Sequence, residues 1–85
     1  MAKSITARSA RNLSPEKAFG RVLREVRESR NLSQEELAAR AGYHRTYIGQ
    51  LERGEKSPSL RTIFNLSSVL EVRPSVLIRR VERSV

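Results

Sequence analysis

Two helical patterns separated by a glycine lie between residues 32 and 54, in the stretch LSQEELAARAGYHRTYIGQLERG. The first pattern has the clearest start signal in the chain, because Ser33 and Glu36 have the spacing of a capping box. Gly42 then supplies a residue that adopts a positive φ at little cost, which suits the end of a helix. The stretch predicts two short helices joined by a tight turn, and any fold for this chain has to accommodate that pair.

Apolar residues elsewhere recur at helical spacing and predict three further helices. Ser14 and Ser59 are the expected N-caps of the first and fourth helices, and the fifth is expected to run from about Pro74 to Arg83. The residues expected to face inward on these three helices are Phe19, Val22, Leu23, Val26, Leu60, Ile63, Leu66, Val69, Leu70, Leu77 and Val81. Since no strand-like alternation persists, the sequence predicts an all-α fold, a compact five-helix bundle.

The chain has 85 residues, which is the size of one domain. Residues 1–13 are basic and rich in serine and contain no acidic residue. We predict a flexible basic N-terminal arm for residues 1–13 and a folded domain for residues 14–85. The arm also loosely resembles a transit peptide, but a disordered arm is the simpler interpretation.

The residue inventory argues against several classes of function. The chain has no cysteine, no aspartate and a single histidine, His44. A zinc site needs three or four converging ligands, and a nucleophilic triad would have only His44 as its base. We therefore expect no metal, no cofactor and no enzymatic activity. No apolar run is long enough to span a membrane, so we expect no membrane-spanning segment.

The charge of the chain points to a polyanionic partner. Seventeen Lys and Arg residues oppose nine acidic ones and give a net charge of +8. Arginine suits both phosphates and guanine edges because its guanidinium is a planar fork of donors. A solvated, strongly charged surface is the plain alternative. Charge alone therefore favours nucleic acid without establishing it.

The stretch LSQEELAARAGYHRTYIGQLERGEKSPSL, followed by LSSVLEV, resembles a known family of DNA-binding domains. These are the phage repressor and Cro-like (XRE-type) helix-turn-helix domains, which have the lambda-repressor-like fold. Within that family the residues HRTYIGQLERG and the following PSL look most like the controller proteins of restriction–modification systems. The resemblance covers roughly Phe19 to Leu77. It implies five helices, with the third helix in the major groove of DNA. It also implies a cytoplasmic, nucleoid-associated protein encoded by a bacterium or phage.

The resemblance also implies roles for individual residues. The residues expected to contact bases are His44, Arg45, Thr46 and Gln50. The residues expected to contact the sugar-phosphate backbone are Gln34, Tyr47, Arg53, Lys56 and Ser57. A carboxylate near DNA would be repelled, so Glu52 is expected to form a structural ion pair with Arg27 instead. Each polar residue has a plain alternative as a solvated or packing side chain.

One such domain contacts few bases, so the family solution is a homodimer on an inverted-repeat operator. The candidate dimer contacts are Val69, Val76, Ile78 and Val81. The leading interpretation is a sequence-specific regulator of transcription that binds double-stranded DNA, with no membrane partner and no evident small-molecule effector. The alternative is an antitoxin-like protein-interaction module with secondary DNA binding. Two roles stay open for Gly49, which lies inside the third helix: close approach of the backbone to DNA, or avoidance of a clash. The basic arm is left between a contact with phosphates or a minor groove and no role at all.

Overall fold

The computed structural model describes residues 13–85, and this part of the chain forms five α-helices and no strand. The helices are α1 (Pro15–Ser29), α2 (Gln34–Ala41), α3 (Arg45–Glu52), α4 (Leu60–Leu70) and α5 (Pro74–Ser84). The predicted all-α, five-helix architecture is therefore confirmed. The arm expected at residues 1–13 falls outside the described residues except for Leu13. No helix of the described residues is long and apolar enough to cross a membrane.

Serine side chains start three of the helices. Ser14 Oγ accepts a hydrogen bond from Lys17 N at 3.1 Å, and Ser59 Oγ accepts one from Thr62 N at 3.0 Å. Ser33 and Glu36 form the complete capping box that their spacing predicts. Each of these bonds satisfies a donor that the first turn of a helix would otherwise leave free. The starts of α1, α2 and α4 are thus encoded locally.

A single apolar core joins all five helices. α1 packs against α3 and α5, and α2 packs against α3 and α4. The buried apolar residues are Ala18, Phe19, Val22, Leu23, Val26, Leu32, Leu37, Ala38, Ile48, Leu51, Leu66, Leu70, Leu77 and Val81. Because α1 contacts both α3 and α5, it forms the support on which the α2–α3 pair is held.

The inward face of α4 differs from the expected one. Thr62, Leu66 and Leu70 follow one another at four-residue spacing and are buried, whereas Leu60 is 71% exposed. The expectation that Leu60 is buried is wrong, because this residue is the first of α4 and lies off the inward line. Phe64, one turn further on, is 56% exposed. The first half of α4 therefore presents two large apolar side chains to solvent.

Ser67 on α4 gives a stability prediction. It is 1% exposed, and its hydroxyl has no hydrogen-bond partner among the described residues. A buried hydroxyl without a partner costs about 1–3 kcal/mol. We expect Ser67→Ala to raise the free energy of unfolding by about 1 kcal/mol in urea titrations, with no change in the denaturant slope. Ser68→Ala makes the same change at an exposed position and should gain only about 0.5 kcal/mol of helix propensity. Equal gains would contradict the role assigned to burial.

Candidate nucleic-acid interface

The turn between α2 and α3 fixes the angle between the two helices. α2 ends at Gly42, which has a φ of 81°, and Tyr43 N donates to Ala38 O at 2.8 Å. His44 then occupies the N-cap of α3 without making a side-chain capping bond. Since the cap contributes no hydrogen bond, the start of α3 depends on packing. The half-buried ring of Tyr43 packs against the core at this point.

α3 buries one side and exposes the other. Ile48 and Leu51 are completely buried. On the outer side, His44, Arg45 and Thr46 are exposed, and Gln50 is half-buried. Thr46 and Gln50 lie four residues apart and so share one face of the helix. All four residues expected to contact bases thus retain accessible surface at one end and one face of α3.

A buried ion pair holds the end of α3 to α1. Arg27 Nε donates to Glu52 Oε2 at 2.6 Å and Arg27 Nη2 donates to Glu52 Oε1 at 3.0 Å. The two side chains are only 9% and 4% exposed. The hydrogen bond with Glu52 raises the pKa of Arg27 above its ordinary value, while burial acts in the opposite direction. Glu52 is therefore oriented into the protein, where its charge is matched.

Two further bonds extend this ion pair to α2. Arg27 Nη1 donates to Leu32 O at 2.8 Å, and Gln34 Nε2 donates to Glu52 Oε1 at 3.0 Å. Gln34 is the first residue of α2 and is half-buried. One N–H of its amide is occupied by Glu52, which leaves the second N–H for another acceptor. The same carboxylate thus positions α1, α2 and α3 relative to one another.

Two candidate phosphate contacts are exposed, and a third is engaged by a neighbouring acid. Lys56 and Ser57 are exposed in the segment between α3 and α4. Arg53 is also exposed, but its Nε and Nη2 donate to Glu55 at 2.8 and 3.2 Å. This hydrogen bond raises the pKa of Arg53 and lowers the pKa of Glu55. A phosphate would have to share or replace Glu55 at this guanidinium.

Tyr47 belongs to a cluster of polar side chains that the sequence pattern did not reveal. We call it the Thr62 cluster, and its members are Tyr43, Tyr47, Ser59, Thr62 and Asn65. The hydroxyls of Tyr43, Tyr47 and Ser59 lie 3.4, 3.3 and 3.0 Å from Thr62 Oγ1. The two tyrosine rings are also in contact, with centroids 5.1 Å apart. The only local signal was the Ser59–Thr62 spacing of an N-cap, which says nothing of the two tyrosines.

The four candidate dimer contacts have very different exposures. Val81 is 9% exposed and belongs to the core, and Val69 and Val76 are half-buried. Ile78 is 44% exposed. Val81 therefore offers little surface to a second copy of the chain, because its side chain packs within the core. Leu60 and Phe64 on α4 are more exposed than any of these four residues.

The described residues contain no group of three or more histidine, cysteine, aspartate or glutamate side chains that could hold a metal ion. The α2–α3 pair and the segment after it instead carry exposed polar side chains of several kinds. Side chains that can hydrogen-bond to base edges, the amide of Gln34 held by Glu52, and the exposed cation Lys56 are all present there. This combination suits a charged, hydrogen-bonding polymer better than a small ligand.

Comparison with known proteins identifies the family. Residues 23–77 match the helix-turn-helix family model HTH_3. Control protein C.BamHI of Bacillus amyloliquefaciens is 44% identical over 61 residues, which cover 71% of this chain and 75% of that protein. Control protein C.SmaI of Serratia marcescens is 43% identical over 58 residues, covering 68% and 69%.

A solved structure agrees with both matches. The crystal structure of the restriction–modification controller protein C.AhdI from Aeromonas hydrophila has a TM-score of 0.70 and 43% sequence identity. The match covers 72% of this chain and 92% of that one. Fold and sequence therefore lead to the same group of regulatory, non-enzymatic proteins. The chain belongs to the XRE-type helix-turn-helix family, among relatives that are restriction–modification controller proteins.

Proposed function

We propose that this chain is a sequence-specific regulator of transcription that binds double-stranded DNA with α3 in the major groove. The observation that carries the proposal is the division of α3 into a completely buried side, Ile48 and Leu51, and an outer side of hydrogen-bonding residues. A helix of this kind, held rigidly by a buried ion pair, has the properties of a recognition helix. The net charge of +8 supplies the attraction to phosphates. The proposed setting is the bacterial cytoplasm, and the proposed role involves no catalysis.

Base readout is proposed for His44, the N-cap of α3, and for Arg45, Thr46 and Gln50 within the helix. Arg45 is suited to guanine, since its guanidinium can donate to O6 and N7 together. Gln50 is suited to adenine, since its amide can pair with N6 and N7. Thr46 can contact the methyl group of thymine, and a ring nitrogen of His44 at the N-cap can hydrogen-bond to a base edge. These assignments are supported by the exposure of His44, Arg45 and Thr46 and by the accessible part of the half-buried Gln50.

Backbone contacts are proposed for Gln34, Tyr47, Arg53, Lys56 and Ser57. The contact proposed for Gln34 is supported by its amide group, which donates one N–H to Glu52 and has a second N–H left for a phosphate. Lys56 and Ser57 are supported by their exposure directly after α3. Such contacts set register and orientation on the duplex and carry no sequence information themselves.

A homodimer on an inverted repeat is the proposed assembly. Leu60 and Phe64 lie one turn apart on α4, and Ile78 lines an open apolar groove with Ile63 of α4. We propose that Leu60, Phe64 and Ile78 form the centre of the contact with a second copy of the chain. Exposed apolar side chains grouped on adjacent elements are typical of interfaces.

Phe64→Glu tests this surface. We expect the dimer dissociation constant, measured by sedimentation equilibrium on the wild type and the variant, to rise about tenfold or more. Phe64 is already 56% exposed, so the thermal midpoint should change little. Ala39→Glu adds the same charge at an exposed position on α2 and should leave the dissociation constant within about twofold. A wild type that stays monomeric at all concentrations, or equal effects of both variants, would refute this surface.

Selection from random duplex DNA tests the function as a whole. The purified protein would be mixed with duplexes that contain a randomised segment, and the bound fraction would be sequenced after several rounds. An enriched inverted repeat would establish sequence-specific binding by a dimer, with half-sites about 34–36 Å apart or a multiple of that distance. Binding without enrichment, lost in moderate salt, would mean that charge alone binds DNA. A protein-interaction module would then be the better interpretation.

Arg45→Ala and Lys56→Ala separate base contacts from phosphate contacts. Arg45→Ala should remove discrimination at one base pair of the selected site, by about 10-fold or more. Lys56→Ala should weaken binding to every duplex and reduce the magnitude of the salt slope by about 0.9. Both are measured by titration of labelled duplexes at several salt concentrations. If Arg45→Ala weakened all sequences equally, its role in base readout would be lost.

A further inference from the structure

The Thr62 cluster has a fixed direction of hydrogen bonding. Thr62 is 5% exposed, so its hydroxyl depends on protein partners. A hydroxyl has one proton to donate and two lone pairs to accept with. Three other hydroxyls approach this one atom, at 3.0 to 3.4 Å. Thr62 Oγ1 cannot accept from all three, because it has only two lone pairs.

Two of the three hydroxyls donate to Thr62. Ser59 Oγ accepts from Thr62 N, which leaves its own proton for Thr62 Oγ1 at 3.0 Å. Tyr43 Oη accepts from Asn65 Nδ2 at 3.0 Å and donates to Thr62 Oγ1 at 3.4 Å. These two bonds fill both lone pairs of Thr62 Oγ1. The remaining contact, with Tyr47, has to use the single proton of Thr62.

Tyr47 is therefore the end of the chain of bonds. Its Oη accepts from Thr62 Oγ1 at 3.3 Å, and its own phenolic proton has no other acceptor among residues 13–85. Tyr43 differs, because its proton is used inside the cluster. The two tyrosines thus differ in whether their hydroxyl proton is available for a hydrogen bond outside the cluster. Tyr47 can donate outward, and Tyr43 cannot.

We propose that Thr62 is a positioning residue for DNA binding: its hydroxyl donates a hydrogen bond to Tyr47 Oη, which leaves the phenolic proton of Tyr47 available to a phosphate oxygen. The proposal rests on the proposed DNA-binding function and goes beyond it by assigning roles to Thr62 and Tyr43. The phosphodiester oxygens of DNA only accept hydrogen bonds, so they suit a phenol whose proton is directed outward. Hydrogen bonds in a chain also polarise one another, which strengthens the last one.

Paired Tyr→Phe variants give the first test, on a labelled 30-base-pair duplex of mixed sequence. Tyr47→Phe should weaken binding about threefold to tenfold, the usual effect of one neutral hydrogen bond. The salt slope should not change, because a phenol releases no counterion. Tyr43→Phe frees one lone pair of Thr62 Oγ1, to which Tyr47 can then donate, so it should weaken binding less than Tyr47→Phe does, by under about threefold. If both variants weakened binding equally, or neither did, the proposal would be overturned.

Thr62→Val gives the second test, because valine keeps the shape and lacks the hydroxyl. It should weaken binding about threefold in the wild type and cause no further loss in the Tyr47→Phe background. A merely structural role for Thr62 would weaken binding in both backgrounds, which would overturn the proposal. Thermal midpoints show whether each variant is folded. If Thr62→Val does not fold, the comparison of Tyr47→Phe with Tyr43→Phe tests the proposal instead. A wild type that binds no duplex at all would instead refute the proposed function.

Discussion

Glu52→Gln is expected to lower the free energy of unfolding by about 3 kcal/mol, the lower end of the range for breaking a buried ion pair from one side. Arg27 and Glu52 are 9% and 4% exposed at their side chains and are joined by two hydrogen bonds. Glutamine keeps the size of the side chain but leaves the guanidinium charge of Arg27 buried without a counter-charge. For a domain of this size the thermal midpoint should fall by roughly 12–24 °C.

An exposed ion pair on α1, the helix that carries Arg27, provides the control. Arg24 and Glu28 form an ion pair at 3.1 Å whose side chains are 65% and 54% exposed. Glu28→Gln makes the same chemical change and should cost less than about 0.5 kcal/mol, since exposed pairs are screened by water. Urea titrations of both variants measure the difference. If Glu52→Gln were as mild as Glu28→Gln, the ion pair would not be what holds α3 to α1.

A double replacement separates stability from orientation. Exchanging Arg27 for Met and Glu52 for Leu removes both charges together, and such exchanges of buried pairs are often neutral or stabilising. The double variant should therefore recover most of the stability lost in Glu52→Gln. It also removes the acceptor of the Gln34 amide, so DNA affinity should stay below that of the wild type. Full recovery of both properties would show that the pair does not orient Gln34.

The elements of this fold were predictable where the signals are local. Ser14, Ser33 and Ser59 cap helices through backbone groups only three residues away, and Gly42 ends α2 through its own φ. Each of these signals acts within one turn, so no knowledge of tertiary structure was needed. The rotation of α4 about its own axis is not set by a local signal. Leu60 fits a helical stripe in the sequence, but the neighbouring helices decide which side of α4 is buried.

The site shows the same division. Exposure of Arg45 and Thr46 follows from the short α3 and its narrow apolar side, so it could be anticipated from spacing. The Thr62 cluster could not, because Tyr43 and Thr62 are 19 residues apart and meet only when α4 folds back. The Arg53–Glu55 pair was equally hidden, since a separation of two residues brings side chains together only in a particular turn. Bonds that depend on tertiary structure or on loop shape escape pattern analysis.

Gly20 is the glycine whose packing most constrains the fold. It is buried in α1, and a Cβ added there would overlap the carbonyl oxygens of Leu51 and Glu52 and lie 2.8 Å from Glu52 C. The obstacle is backbone and cannot rotate away, so α1 and α3 would have to separate. We expect Gly20→Ala to lower the free energy of unfolding by about 2–3 kcal/mol, although alanine favours a helix by about 1 kcal/mol.

Gly49→Ala is the matched control, because Gly49 is also buried within a helix. A Cβ there would meet Arg53 Nη1 at 3.0 Å and Gln34 Oε1 at 3.7 Å, which are the ends of flexible side chains. Arg53 can move by a few tenths of an ångström, so the gain in helix propensity should dominate and raise stability by up to about 1 kcal/mol. Urea titrations should thus give opposite signs for the two variants. If both were destabilising to the same extent, Gly49 would also mark a close approach, and the open question about this residue would be answered in favour of packing.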